Sequence, residues 1–147
     1  MTTTYNQVIA VFADLASKHK QLNSFGSLQT WNWQAQKNVY PAALLVPVNS
    51  TVQQGIVTFR FDFHVMDLLN ADKSNLNEVH SDTIQIINDF IAELCENQDV
   101  YGLVIDEASV SAVPFEETLD DVVAGWVATL DIKIQNSLDD CEAPFTM

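Results

Sequence analysis

Between Gly55 and Asp67 the chain reads GIVTFRFDFHVMD, and apolar and polar residues alternate without a break. Val57, Phe59, Phe61, Phe63 and Val65 fall on one side, and Thr58, Arg60, Asp62 and His64 on the other. Successive strand side chains point to opposite faces, so this strict period of two specifies a strand with one buried and one polar face. A turn from Leu68 to Asn75 leads into a long amphipathic segment and then into two more alternating strands. A sheet, a helix and an uneven charge distribution suit a chain that makes contacts rather than one that performs chemistry.

The other elements follow from the same periodicities. Tyr5, Val8, Ile9, Phe12, Leu15, Ala16 and His19 form a helical stripe over residues 4–22, opened by the capping-box pair Thr4 and Gln7. Lys18, His19 and Lys20 then complement the negative end of the helix dipole. Asn23 to Ser27 is a break, with Gly26 free to take a positive φ. Thr30–Trp33 is expected as a short strand placing Trp31 and Trp33 on one face, and Val39–Val48 as a second, at an edge or bent by Pro41 and Pro47. Asn49–Gly55 reads as a polar loop or hairpin turn, and the three strands as an antiparallel meander.

A second helix is expected over 75–97, with Val79, Thr83, Ile86, Ile87, Phe90, Ile91 and Leu94 buried and a capping box from Asn75 and Glu78. Glu93 and Glu96 oppose the dipole at its end, which points to something positive there. Ala108–Phe115 and Trp126–Gln135 complete the strands, with Glu116–Gly125 a long loop between them. The fold class is therefore α+β, in the order helix, three antiparallel strands, helix, two strands, with a single sheet packed by helices. Residues 1–135 form one domain and 136–147 an acidic C-terminal arm.

A chain of 147 residues with 48% hydrophobic and 10% aromatic content can bury one real core. No apolar run reaches the roughly 18 residues of a membrane span, and MTTTYNQV lacks the pattern of a secretory signal, so no membrane partner is expected. Cys95 and Cys141 show no metal-like spacing; Cys95 reads as a buried small hydrophobe, and a reducing cytosolic site of synthesis fits. Net charge is −14, unevenly placed: residues 1–61 hold one acid against four bases, and residues 62–147 hold 19 acids against two. The acidic part repels phosphates and suits solubility, a basic partner or the wall of a channel that DNA must pass without sticking.

Each candidate for chemistry has a plainer reading. His64 and Asp62 share the polar side of a strand without a third ligand, and a cross-strand pair of His64 with Lys133 or Asp131 is expected instead. His80 reads as helix surface and His19 as a helix end. Glu116, Glu117, Asp120 and Asp121 lack the ligand order and central glycine of an EF-hand, so they read as a solvated or partner-facing loop. Ser81 has no base in a fixed relation to it. With four glycines and no GxxxxGK[ST], GxGxxG or CxxC, no phosphate cradle is available. Trp31, Trp33 and Tyr40 read as sheet core or subunit interface rather than a base-stacking platform. No catalytic residue, metal or cofactor is expected, and the chain does not read as an enzyme.

The element order resembles the tail-terminator and tail-completion proteins of tailed bacteriophages. In wording it is similar to the neck ring proteins of crAss-like gut phages, through YPAALLVPV (Tyr40–Val48), FDFHVMDLLN (Phe61–Asn70), NEVHSDTIQIINDFIAEL (Asn77–Leu94) and PFEETLDDVVAGWVATLDIKI (Pro114–Ile134). The resemblance covers nearly the whole chain apart from its last ten or so residues and carries no catalytic signature. It implies a structural virion protein, made in the bacterial host cytoplasm. It would form a homo-oligomeric ring, sixfold or twelvefold, at the head–tail neck. Its partners would be neighbouring neck, portal-side or tail proteins, with DNA passing through unbound. Contacts are then expected from the loop acids Glu116, Glu117, Asp120 and Asp121, from Asn49, Thr51 and Gln53, and from Asp139, Asp140 and Phe145 in the arm. An acidic module that mimics DNA to inhibit a basic host protein is the alternative. A small metal-dependent hydrolase is opposed by the scattered histidines.

Overall fold

The alternating segment forms the centre of the sheet. In a computed structural model describing residues 4–27, 40–118 and 122–136, it is strand β3 (Gly55–Leu68). Before it come helix α1 (Tyr5–Lys18), β1 (Ser24–Gly26) and β2 (Ala42–Gln53). After it come α2 (Leu76–Glu96), the single turn α3 (Gln98–Tyr101), β4 (Val104–Ile105), a 3-10 turn (Glu107–Ser109), β5 (Ser111–Thr118) and β6 (Val122–Asn136). The sheet runs β1-β2-β3-β6, and β4 and β5 share the outer side of β6. All pairings are antiparallel except β1 with β2. The architecture is α+β around one mixed six-stranded sheet.

Period two and period 3.6 meet in one core. Val57, Phe61, Phe63 and Val65 of β3, Ala43 and Leu45 of β2, and Ala128, Leu130, Ile132 and Ile134 of β6 form one side of it. Val8, Phe12, Leu15 and Ala16 of α1, with Ile86, Ile87, Phe90 and Leu94 of α2, form the other. Both helices thus cover the same face. The Phe12 ring is central, 5.6 Å from Phe63, 6.2 Å from Phe90 and 6.3 Å from Phe61. Trp126 locks α2 to the sheet, its Nε1 donating to the His80 carbonyl at 2.9 Å.

The expected capping box of α1 forms: the Gln7 amide donates to Thr4 Oγ1 at 3.3 Å, and the Thr4 amide to Gln7 Oε1 at 2.7 Å. The helix stops at Lys18, earlier than its apolar stripe suggests, and His19 is extended. At α2 the expected box is absent. The Asn75 side chain is engaged elsewhere, accepting from the Asn70 amide at 2.8 Å and donating to the Leu68 carbonyl at 3.3 Å.

The strand plan differs from the expected meander. The outer partner of β2 is the parallel β1, drawn from the segment read as a break, and Gly26 lies in that strand. The expected strand Thr30–Trp33 lies outside the described residues. β2 continues through Asn49, Thr51 and Gln53, so these are strand rather than loop, and Gln54–Gly55 alone makes the turn, with Gly55 at φ +83°. NSTVQ reads as loop because both its faces are exposed; pairing with β3 nevertheless holds it extended. β5 likewise runs to Thr118 and β6 starts at Val122. Glu116 and Glu117 are therefore strand residues, as are Val122–Gly125 at the other end of the expected ten-residue loop. Asp120, Asp121 and the arm residues Asp139, Asp140 and Phe145 lie outside the described residues.

Gly125 holds the middle of this arrangement, where β6 pairs on both sides, with Met66 of β3 and Phe115 of β5. A Cβ there would collide with the backbone carbonyl of Val65, so only glycine allows the strands to approach this closely.

Candidate functional site

The candidate surface is the sheet face turned away from the helices. The register places Ala42, Leu44 and Val46 of β2, Met66, His64, Asp62, Arg60 and Thr58 of β3, and Val123, Val127, Thr129, Asp131 and Lys133 of β6 on this face. Its two halves differ in chemistry. Near β5, Ala42, Leu44, Met66 and Val123 are buried beneath Tyr40, Val46 and Phe115. Phe115, opposite Gly125 on β6, meets the His64 ring edge-on at 5.9 Å. Val113 stands on β5 opposite half-buried Val127 and is 64% exposed.

The half near the β2–β3 turn is polar. A register shift between Pro47 and Asn49 brings Asn49 opposite Arg60, Thr51 opposite Thr58 and Gln53 opposite Ile56. These three expected contact residues do lie together, exposed along one edge of the face. Arg60 forks onto Asp131, with Nε to Oδ1 at 2.9 Å and Nη2 to Oδ2 at 3.3 Å. That contact holds the Asp131 carboxyl below its ordinary range and raises Arg60. Thr129 donates to Asp62 at 3.2 Å.

His64 is not paired with Lys133 or Asp131 as the sequence suggests. The antiparallel register puts it opposite Leu44 and Val127, and gives Lys133 to Thr58 and Asp131 to Arg60. Burial among these apolar neighbours lowers the His64 imidazole below its ordinary 6.5, against the opposing pull of Asp62. His80 is half-buried beside Trp126, with ring centroids 5.6 Å apart, rather than on the helix surface. Cys95 is half-buried, and its thiol is raised by burial and by Glu107, whose carboxylate lies 3.7 Å away.

His19 is held by a contact at each ring nitrogen. The Gln21 amide donates to Nδ1 at 3.2 Å, which leaves the proton on Nε2, and Nε2 contacts Asp89 at 2.8 Å. Both ring nitrogens are occupied. His19 and Asp89 line a shallow cleft of about 670 Å³ between α1 and α2, together with Lys18, Lys20, Glu93 and Tyr101. At the end of α2, Glu93 accepts from two neutral donors, Tyr101 Oη at 2.9 Å and Asn97 Nδ2 at 3.0 Å. Among the described residues no three His, Cys, Asp or Glu side chains gather as a metal site, and no helix is long and apolar enough to cross a membrane.

Glu116, the first of the expected loop acids, sits on β5 and pairs with Lys73 at 2.8 Å. The partners that periodicity does not reveal are the long-range ones: His19 with Asp89, Arg60 with Asp131, Lys73 with Glu116. At two of these contacts the basic first segment meets the acidic remainder in the fold. The sequence matches no family model and no curated protein.

Proposed function

We propose that this chain is a structural subunit of a homo-oligomeric ring at the head–tail neck of a tailed phage, presenting one annular surface towards the portal side and another towards the tail. The observation that carries the reading is the one-sided sheet. Both helices cover one face, while the other keeps an apolar half and a polar half, and β2 carries exposed side chains from Pro47 to Gln53. A ring subunit needs two different contact surfaces, because head-to-tail association is heterologous. The resemblance in element order and wording supplies the setting. In that setting the net charge of −14 keeps a passing duplex from adhering to the lumen. Glu116, Glu117, Asp120 and Asp121 would face the lumen or the next ring in the stack.

Replacing those four acids with lysine in the virus tests the reading. Defective particles or impaired DNA ejection are expected; normal particles with full infectivity would overturn the role assigned to this segment.

One observation favours a second reading, an acidic DNA mimic that captures a basic protein. Glu78, Asp82, Asp89, Glu93 and Glu96 are exposed along α2, and residues four apart stand about 6 Å apart along the axis. This reading expects a monomer or dimer that binds a basic host protein in competition with DNA.

A further inference from the structure

Most free strand edges of this sheet are guarded. β1 is three residues long and β4 two. β5 carries Pro114, which lacks a backbone donor, and the charges of Glu116 and Glu117. Shortness, proline and charge are the means by which an edge avoids pairing with another chain. β2 differs. β3 pairs with its inner side as far as Gln53, but β1 covers its outer side only from Ala42 to Leu44. Beyond Leu44 that outer side meets no backbone partner among the described residues. Backbone groups of an antiparallel strand point alternately to its two sides, so this edge leaves a row of donors and acceptors that another extended chain would satisfy.

Two features select a second copy of this chain as that strand. The first is symmetry in the sequence. Val48-Asn49-Ser50-Thr51-Val52 reads nearly alike in both directions. Antiparallel self-pairing centred on Ser50 therefore sets Val48 opposite Val52 of the second copy, and Asn49 opposite its Thr51. Such β-branched and polar pairs are favourable across antiparallel strands, and no like charges face each other. The faces also agree, because Ser50 and Val52 stand opposite Phe59 and Val57, and Asn49 and Thr51 opposite Arg60 and Thr58. Pro47 and the register shift beside it end the regular stretch at one side, and the two-fold repeats that limit at the other. The second feature is charge. Each chain carries −14, so two copies repel over most of their surfaces. β2 holds no charged side chain, and every residue from Pro47 to Gln53 is exposed.

We infer that the β2 edges of two copies pair antiparallel over Val48–Val52, across a two-fold axis at Ser50, and join two six-stranded sheets into one. The contact uses the same surface on both copies. It is distinct from the head-to-tail contacts of the ring reading and does not rest on them.

The test uses the full chain in sedimentation equilibrium, at concentrations up to about 1 mM. Ser50→Asp and Ser50→Lys each set two like charges opposite one another at the axis. Each is expected to weaken the pairing about fivefold or more and to lower the particle mass towards half that of wild type. Circular dichroism is expected to stay that of wild type, because Ser50 is exposed in the folded chain. An equimolar mixture of the two variants sets opposite charges at the axis and is expected to restore the wild-type mass. A mass that neither substitution changes, or a mixture no heavier than its components, overturns the edge pairing; where that particle is a ring, the ring reading stands. A wild type that stops at a dimer, halved by either substitution, upholds the edge pairing and overturns the ring.

Discussion

His19 Nε2 and Asp89 Oδ2 lie 2.8 Å apart, joining the C-terminal cap of α1 to the exposed side of α2 across 70 residues of sequence. The Gln21 amide fixes the tautomer that makes this contact. The His19 side chain is mostly buried while Asp89 is half exposed, so solvent screens the pair. His19→Ala is expected to cost about 1 kcal/mol, and Asp89→Asn less, since an amide oxygen still accepts from Nε2. A double-mutant cycle by urea denaturation measures the coupling. Strictly additive effects would show that the contact does not join the helices.

Gly125→Ala places a methyl group against the Val65 carbonyl at the point where β6 pairs on both sides. The expected loss is on the order of 3 kcal/mol, from forced separation of β3 and β6. Thermal and urea unfolding measure it, and a loss below about 0.5 kcal/mol, the scale of a neutral surface change, would contradict the close approach.

His64 and Asp67 give opposite pH responses. The folded protein resists protonation of His64, whereas the unfolded chain takes up that proton near 6.5, so stability falls as pH drops below 6.5. Burial raises Asp67, so the folded protein holds its proton more tightly, and stability is lost as pH rises above 3.8 towards the folded value. His64→Leu is expected to flatten the loss below 6.5, and Asp67→Asn to remove the change above 3.8. Urea midpoints measured across pH test both, and a His64→Leu profile parallel to wild type would contradict the first.

The two helix starts differ in kind. Thr4→Ala is expected to cost about 1 kcal/mol through loss of the capping box. Asn75→Ser substitutes another good capping residue, yet it is expected to cost as much as Asn75→Ala, because the Asn75 side chain holds the Asn70 amide and the Leu68 carbonyl. Full retention of stability in Asn75→Ser, by urea denaturation, would mean that capping and not this brace is what the residue provides.

Where a single period dominates, the sequence was readable. Phe61 and Phe63 mark β3, Phe12 and Phe90 mark the two helices, and all four rings meet in the core. Segments exposed on both sides carry no such mark, which is why Asn49–Gln53 resembles a loop while forming strand. Register was equally hidden. Whether His64 faces Val127 or Lys133 depends on pairing across more than sixty residues, which no local spacing encodes. β1 escaped notice because Ser24, Phe25 and Gly26 form a three-residue strand with no room for a period. The candidate surface was legible only in part. Asn49, Thr51 and Gln53 do share an exposed edge, whereas the apolar half around Val113 and Phe115 needed the fold to assemble it.

Native mass spectrometry of the purified chain, with negative-stain images of the same sample, tests the central claim most directly. The account predicts a closed annulus of six or twelve copies. A monomer or symmetric dimer at all concentrations, binding a basic protein in competition with DNA, would contradict it.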